Sequence, residues 1–109
     1  EHESQICKHA IDYIKKLTGK GPKNIYSRVN EKNIEIHFWL QKTPLEEYLF
    51  NHTENGHKIV SELYNAGILS YIEFLNNNIM DLTNINITFK KIDLDIECDK
   101  YSISYDIAD

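Results

Sequence analysis

The feature that most constrains this chain is a stripe of apolar residues at helical spacing through its centre. Ile59, Leu63, Ala66, Leu69, Ile72, Leu75, Ile79 and Leu82 recur every three or four positions, the period of one helix face. A helix from Glu54 to Leu82 would run roughly 40 Å at the usual rise per residue. A sphere of a chain this size is only about 27 Å across, judged from the expected radius of gyration. A second row, Val60, Tyr64, Ile68, Tyr71 and Phe74, lies beside the first, so the helix is apolar over more of its girth than one sheet covers. The sequence therefore predicts a homodimer through that second row. In the competing arrangement the first helix of the same chain packs on it.

Shorter elements flank the stripe. Ile6, Ala10, Tyr13, Ile14 and Leu17 predict a helix over Gln5 to Leu17, with Ser4 as its cap. Gly19-Lys20-Gly21-Pro22-Lys23 stops it, because glycine accepts a left-handed residue and proline cannot continue the amide ladder. Ile25, Ser27 and Val29, then Ile34, Ile36, Phe38 and Leu40, alternate as two strands, and the polar turn Asn30 to Asn33 joins them as a hairpin. Thr43-Pro44-Leu45-Glu46 opens a helix: threonine caps, proline fits the first turn and glutamate reaches back. Asn51 to Gly56 should interrupt or bend that helix before the long stripe begins.

A third strand begins at Ile85, Ile87 and Phe89, but Ile92, Leu94 and Ile96 follow in the opposite phase. One extra residue at Lys90-Lys91, a β-bulge, would return both sets to the same face. After Glu97-Cys98-Asp99-Lys100, the residues Tyr101, Ile103, Tyr105 and Ile107 form a fourth strand. The predicted class is α+β in the order α-β-β-α-β-β: a four-stranded antiparallel sheet with a short and a long helix on one face. A chain of 109 residues suits one domain, 1–109, and its start at Glu1 rather than Met suits one copy taken from a longer or tandem protein.

Composition narrows the function classes. The chain is 41% apolar and 27% charged, as a folded domain should be, and its formal charge of −5 opposes nucleic-acid phosphates. No run of about 20 apolar residues is present to span a membrane, and no signal peptide precedes the first helix. Cys7 and Cys98 lack CxxC spacing, so two reduced thiols and a cytoplasmic site are expected. Abundant isoleucine, asparagine and lysine point to an AT-rich bacterial gene.

Four residue sets carry candidate chemistry. Gly19, Lys20, Gly21 and Lys23 could hold a small anion, since glycine lets backbone N–H groups approach a ligand and the lysines add charge. Its order, helix then strand, differs from that of a phosphate loop, and the same residues also read as a helix stop and rigid turn. His37 and Trp39 point outward with Glu35, and Tyr26 and Arg28 would join them as an aromatic and charged partner surface. The alternative is an ordinary solvent-facing sheet. The five scattered histidines lack metal-ligand spacing, so no metal and no cofactor are expected. Asp93, Asp95, Glu97 and Asp99 alternate along an extended strand that cannot converge them on calcium, and a carboxylate pair for glycoside hydrolysis, possible in principle, has no pocket signal beside it. Neither cysteine has an assignable histidine partner, so the sequence predicts no enzyme.

Beyond these readings, the chain resembles the MpsC-like family of bacterial domains, named for a sodium-translocating, membrane-potential-generating system. The resemblance spans nearly the whole chain and rests on Gly19-Lys20-Gly21-Pro22-Lys23, Thr43-Pro44-Leu45-Glu46, Gly56 and Asp93. Two departures stand out: Asp99 replaces a glycine usual in the family, and asparagines and tyrosines replace arginines along the long helix. The resemblance implies an accessory or regulatory domain associated with a membrane ion-translocating system. The expectation is therefore a non-catalytic interaction domain with a membrane-protein or regulatory partner. Its alternative is a small-anion or metabolite sensor built on the Gly19 to Lys23 turn.

Overall fold

Period-two alternation divides each strand between a buried side and an open one, and that division organises the molecule. The structure is a computed structural model that describes residues 2–108, apart from the side chains of His2, Leu82 and Thr83. Glu1 and Asp109 of the expected domain, and the Leu82 end of the predicted stripe, lie outside that description. The elements are α1 (His2–Thr18), β1 (Asn24–Val29), β2 (Asn33–Trp39), α2 (Pro44–His52), α3 (Glu54–Thr83), β3 (Ile87–Asp95) and β4 (Lys100–Ile107). The strands form one antiparallel sheet in the order β1-β2-β4-β3. The α+β class and the element order are those predicted.

The local chemistry explains the boundaries. Thr43 and Glu46 complete a capping box at α2, with Pro44 in the first turn. The predicted interruption is a single extended residue, Thr53, which ends α2 and whose hydroxyl accepts from the Gly56 N–H at 2.8 Å to start α3. A Cβ on Gly56 would collide with the Leu49 carbonyl and the Thr53 hydroxyl, so this tight corner requires glycine. Helix α1 starts at His2 rather than Gln5, because β1 holds the extra turn: Ser27 Oγ donates to the Glu3 carbonyl at 2.8 Å, and the Val29 N–H donates to the Glu3 carboxylate at 2.9 Å. Strand β3 begins at Ile87 rather than Ile85, after Asn84 closes α3 in the left-handed conformation at φ 61°. The register shift between Phe89 and Lys91 is the predicted bulge, and it sets Phe89 beside Tyr105 and Ile92 beside Ile103.

The core joins Ile6, Ala10 and Ile14 of α1 to Ile34, Ile36 and Phe38 of β2 and Tyr101, Ile103 and Tyr105 of β4. Helix α3 corrects the expected association surface. Val60, Ile68 and Tyr71 are only 1–3% exposed, within this chain, and Tyr64 and Phe74 are half-buried. In the other row Ile59, Leu63 and Leu69 are 57–61% exposed, whereas Ile72, Leu75 and Ile79 further along it are buried in the core. Helix α1 lies along part of the second row, where Tyr13 stacks on Tyr71 and Phe74 at 5.3 and 4.5 Å between ring centroids and His9 stacks on Phe74 at 4.9 Å, while Tyr64 meets Glu46 of α2 and Tyr101 of β4. The molecule is elongated, 48 × 23 × 19 Å, rather than spherical, as a helix of 30 residues requires.

One ion pair ties the two ends of the sheet connections together. Lys42 is 5% exposed, and its ammonium donates to the Ile96 carbonyl and, at 2.6 Å, to Asp99 Oδ1, with the Phe50 ring 4.5 Å away. Asp99 sits at φ 60°, a conformation that favours glycine, and here its carboxylate meets a buried charge.

Candidate functional site

The sheet face away from the helices gathers the predicted partner residues. The β1–β2 register sets Tyr26 opposite His37, Arg28 opposite Glu35 and Asn24 opposite Trp39. Tyr26 stacks on His37 with centroids 4.8 Å apart and lies 6.0 Å from Trp39. The Arg28 guanidinium sits 5.4 Å from the Tyr26 ring, and the Lys100 ammonium 5.7 Å from the Trp39 ring. Glu35 Oε1 is 3.0 Å from His37 Nε2, while His37 Nδ1 is buried without a partner among the described residues. All four predicted residues therefore share one patch, and Lys100 joins it from β4 by way of its register with Trp39.

Charges around the patch are mixed. Arg28, Lys91 and Lys100 face the open side with Glu35, Asp93, Asp95 and Asp106, by register. Such a surface offers ring faces for stacking and both signs of charge for pairing, which suits a polypeptide better than a polyanion. The acidic ladder does not converge. Asp93 and Asp95 lie on this open face, whereas Asp99 turns away to Lys42.

The Gly19 to Lys23 turn is first of all a helix stop. Gly19 adopts φ 85°, and its N–H donates to the Lys15 carbonyl at 2.9 Å. The Lys20 N–H reaches Thr18 Oγ1 at 3.4 Å and the Lys23 N–H donates to the Trp39 carbonyl at 2.8 Å. The backbone donors of Gly19, Lys20 and Lys23 are thus engaged within the protein, which leaves little of an amide cradle for an anion. Lys20 and Gly21 do, however, line a cavity of about 480 Å³ between α1, the start of α2 and α3. Lys23 is not part of its wall.

Two residues at this cavity carry other roles in the sequence reading, Glu46 as a helix cap and Tyr64 as part of the association row. The Tyr64 hydroxyl donates to Glu46 Oε1 at 2.8 Å, and the Thr43 N–H donates to the same oxygen at 2.8 Å. Burial pushes the Glu46 carboxyl up, but the bonds from Thr43 and Tyr64 and the charge of Lys20 outweigh it and hold the carboxyl below its usual range. Burial, then the Glu46 contact, pushes the Tyr64 phenol well above its ordinary value. The capping-box spacing did point to Glu46, but only as a helix start; nothing local linked it to Tyr64, eighteen residues on.

The two cysteines have different surroundings. Cys7 Sγ lies 3.4 Å from Ser27 Oγ, and Cys98 is an exposed free thiol that a side-chain bond to Asp95 and the nearby acidic charges hold above its ordinary pKa. Among the described residues no group of three or more histidine, cysteine, aspartate or glutamate side chains could hold a metal ion. No helix among them is long and apolar enough to cross a membrane.

A family model described as Na+-translocating membrane potential-generating system (MpsC) matches residues 1–105. No curated protein and no solved structure matches the chain.

Proposed function

This chain belongs to the MpsC family, and from that membership we propose that it is a non-catalytic accessory domain of a sodium-translocating membrane system, working through a protein partner. The observation that carries the reading is the open sheet face, where Tyr26, Arg28, His37 and Trp39 stand together as stacked rings with cations over them. Tyrosine, tryptophan and arginine are the residues most enriched where interfaces hold tightly. Membership supplies the context of that partner, a component of the membrane system, and the free thiols of Cys7 and Cys98 suit work on the cytoplasmic side. A regulatory role follows if the partner's activity depends on this contact. Self-association through α3 is the less favoured reading, because the row expected to mediate it is packed inside the protomer.

The test is site-specific photo-crosslinking in cells. A photo-reactive phenylalanine analogue replacing Tyr26 should trap one integral membrane protein, and the same probe replacing Asn76 on the exposed side of α3 should not. Adducts that are equal from both sites, that are only with a second copy of this chain, or that are absent would defeat the proposal.

A further inference from the structure

The cavity between α1, α2 and α3 has a divided character. Its floor is apolar and buried, formed by Ile14, Leu40 and Ile68, which are 2–7% exposed. Its walls are Leu17 and Leu63, two apolar side chains left more than half exposed on either side of the opening. Gly67 keeps the two helices close there: a Cβ on it would stand 3.3 Å from Leu17 Cδ2. At about 480 Å³ the space falls within the range of small-molecule sites.

The rim carries two opposite charges that do not neutralise each other directly. Among the described residues Lys20 makes no ion pair, although its charge is felt at Glu46. Glu46 Oε1 accepts from the Thr43 N–H and the Tyr64 hydroxyl, so the carboxylate is held in place at the cavity. A simple anion drawn to Lys20 would be opposed by Glu46, and a simple cation drawn to Glu46 would be opposed by Lys20. A ligand bearing both charges satisfies the two groups at once.

We propose that this cavity binds a small zwitterion with an apolar body, the chemistry of a free α-amino acid with an aromatic or branched aliphatic side chain. The ligand ammonium donates to the Glu46 carboxylate, the ligand carboxylate accepts from the Lys20 ammonium, and the side chain occupies the floor over Ile14, Leu40 and Ile68. This reading is independent of the open sheet face, which lies on the other side of the sheet, so either can fail without the other.

Calorimetric titration of the purified chain with L-phenylalanine and L-leucine tests it. At least one should bind saturably, and 3-phenylpropanoate and 2-phenylethylamine, which each lack one charge of phenylalanine, should bind at least about tenfold more weakly, a loss of one charge-assisted contact. Glu46→Gln keeps a capping side chain and should weaken the amino acid by a similar factor without weakening 3-phenylpropanoate. Lys20→Ala should weaken the amino acid while sparing 2-phenylethylamine. Ala66→Trp, at an exposed position on the cavity wall, should abolish binding with the circular dichroism spectrum unchanged. Absence of saturable binding by both amino acids, tighter binding of either singly charged analogue, or indifference to all three substitutions overturns the proposal.

Discussion

The two faces of the sheet use aromatic residues in opposite ways. On the covered face Tyr101 and Tyr105 are fully buried with Tyr71 of α3 against them, and all three hydroxyls lack a hydrogen-bond partner among the described residues. Burial pushes these phenols well above their ordinary pKa, so they stay neutral and act as bulk. On the open face Tyr26, His37 and Trp39 keep partial exposure, and each has a ring or a cation beside it. The difference teaches that volume decides the residues on one side and available chemistry those on the other. Adjacent positions on one strand should therefore respond unequally to the same truncation.

The sharpest contrast is between Ile103 and Ser102. Ile103 is fully buried between Ile36 and Ile92, while Ser102 faces out between His37 and Asp93. Ile103→Ala should cost about 3 kcal/mol through lost burial and a cavity, and Ser102→Ala no more than about 0.5 kcal/mol, both read by urea denaturation. Similar costs would erase the distinction between the faces. Deleting Lys90 comes next in size. Without the bulge residue, one end of β3 must turn over, and the cheaper end holds Ile87 and Phe89, the latter already 41% exposed. Turning them outward should cost about 2 kcal/mol in lost apolar burial. No loss at all would mean that the bulge does not maintain the covered face.

Much of this division is written locally in the sequence. Alternation exposes the faces of β2 and β4, the phase slip at Lys90 exposes the bulge, and Thr43-Pro44-Leu45-Glu46 exposes the start of α2, because each signal spans only a few residues. The inward side of α3 is harder to read. Two apolar rows run beside each other, and only the packing of distant elements, among them Tyr13 and His9 of α1 against Tyr71 and Phe74, decides that Val60, Ile68 and Tyr71 lie inside. The burial of Lys42 was equally hidden, because its partner Asp99 stands 57 positions away. The open patch was legible, since it needs only the hairpin register. The cavity was not, since Lys20, Glu46 and Tyr64 come from a turn and two helices that meet only in the fold.

Tyr105→Phe probes the covered face with a change of sign. Its hydroxyl is buried and desolvated, with no partner among the described residues. Removing it leaves the ring beside Phe89 in place and should stabilise the protein by about 1 kcal/mol, the penalty of an unmet polar group. Destabilisation in thermal melts would reveal a partner, such as a bound water, and would break the view of these tyrosines as bulk.

The smallest stability effect should belong to Arg28→Ala, and its smallness is the point. Arg28 is exposed, its guanidinium lies over the Tyr26 ring, and its strand neighbour is Glu35. An exposed cation–π contact is worth about 0.5 kcal/mol, and strand pairing does not depend on the side chain. Chemical denaturation should therefore detect a change of no more than about 0.5 kcal/mol. If the open face is a contact surface, the same substitution should sharply reduce the crosslink formed from position 26, because arginine anchors often dominate interface energy. An unchanged crosslink with unchanged stability would leave Arg28 as a solvated charge and would confine the contact to the rings. A large stability loss would instead show that the open face holds the sheet together, and the contrast between the two faces would not survive it.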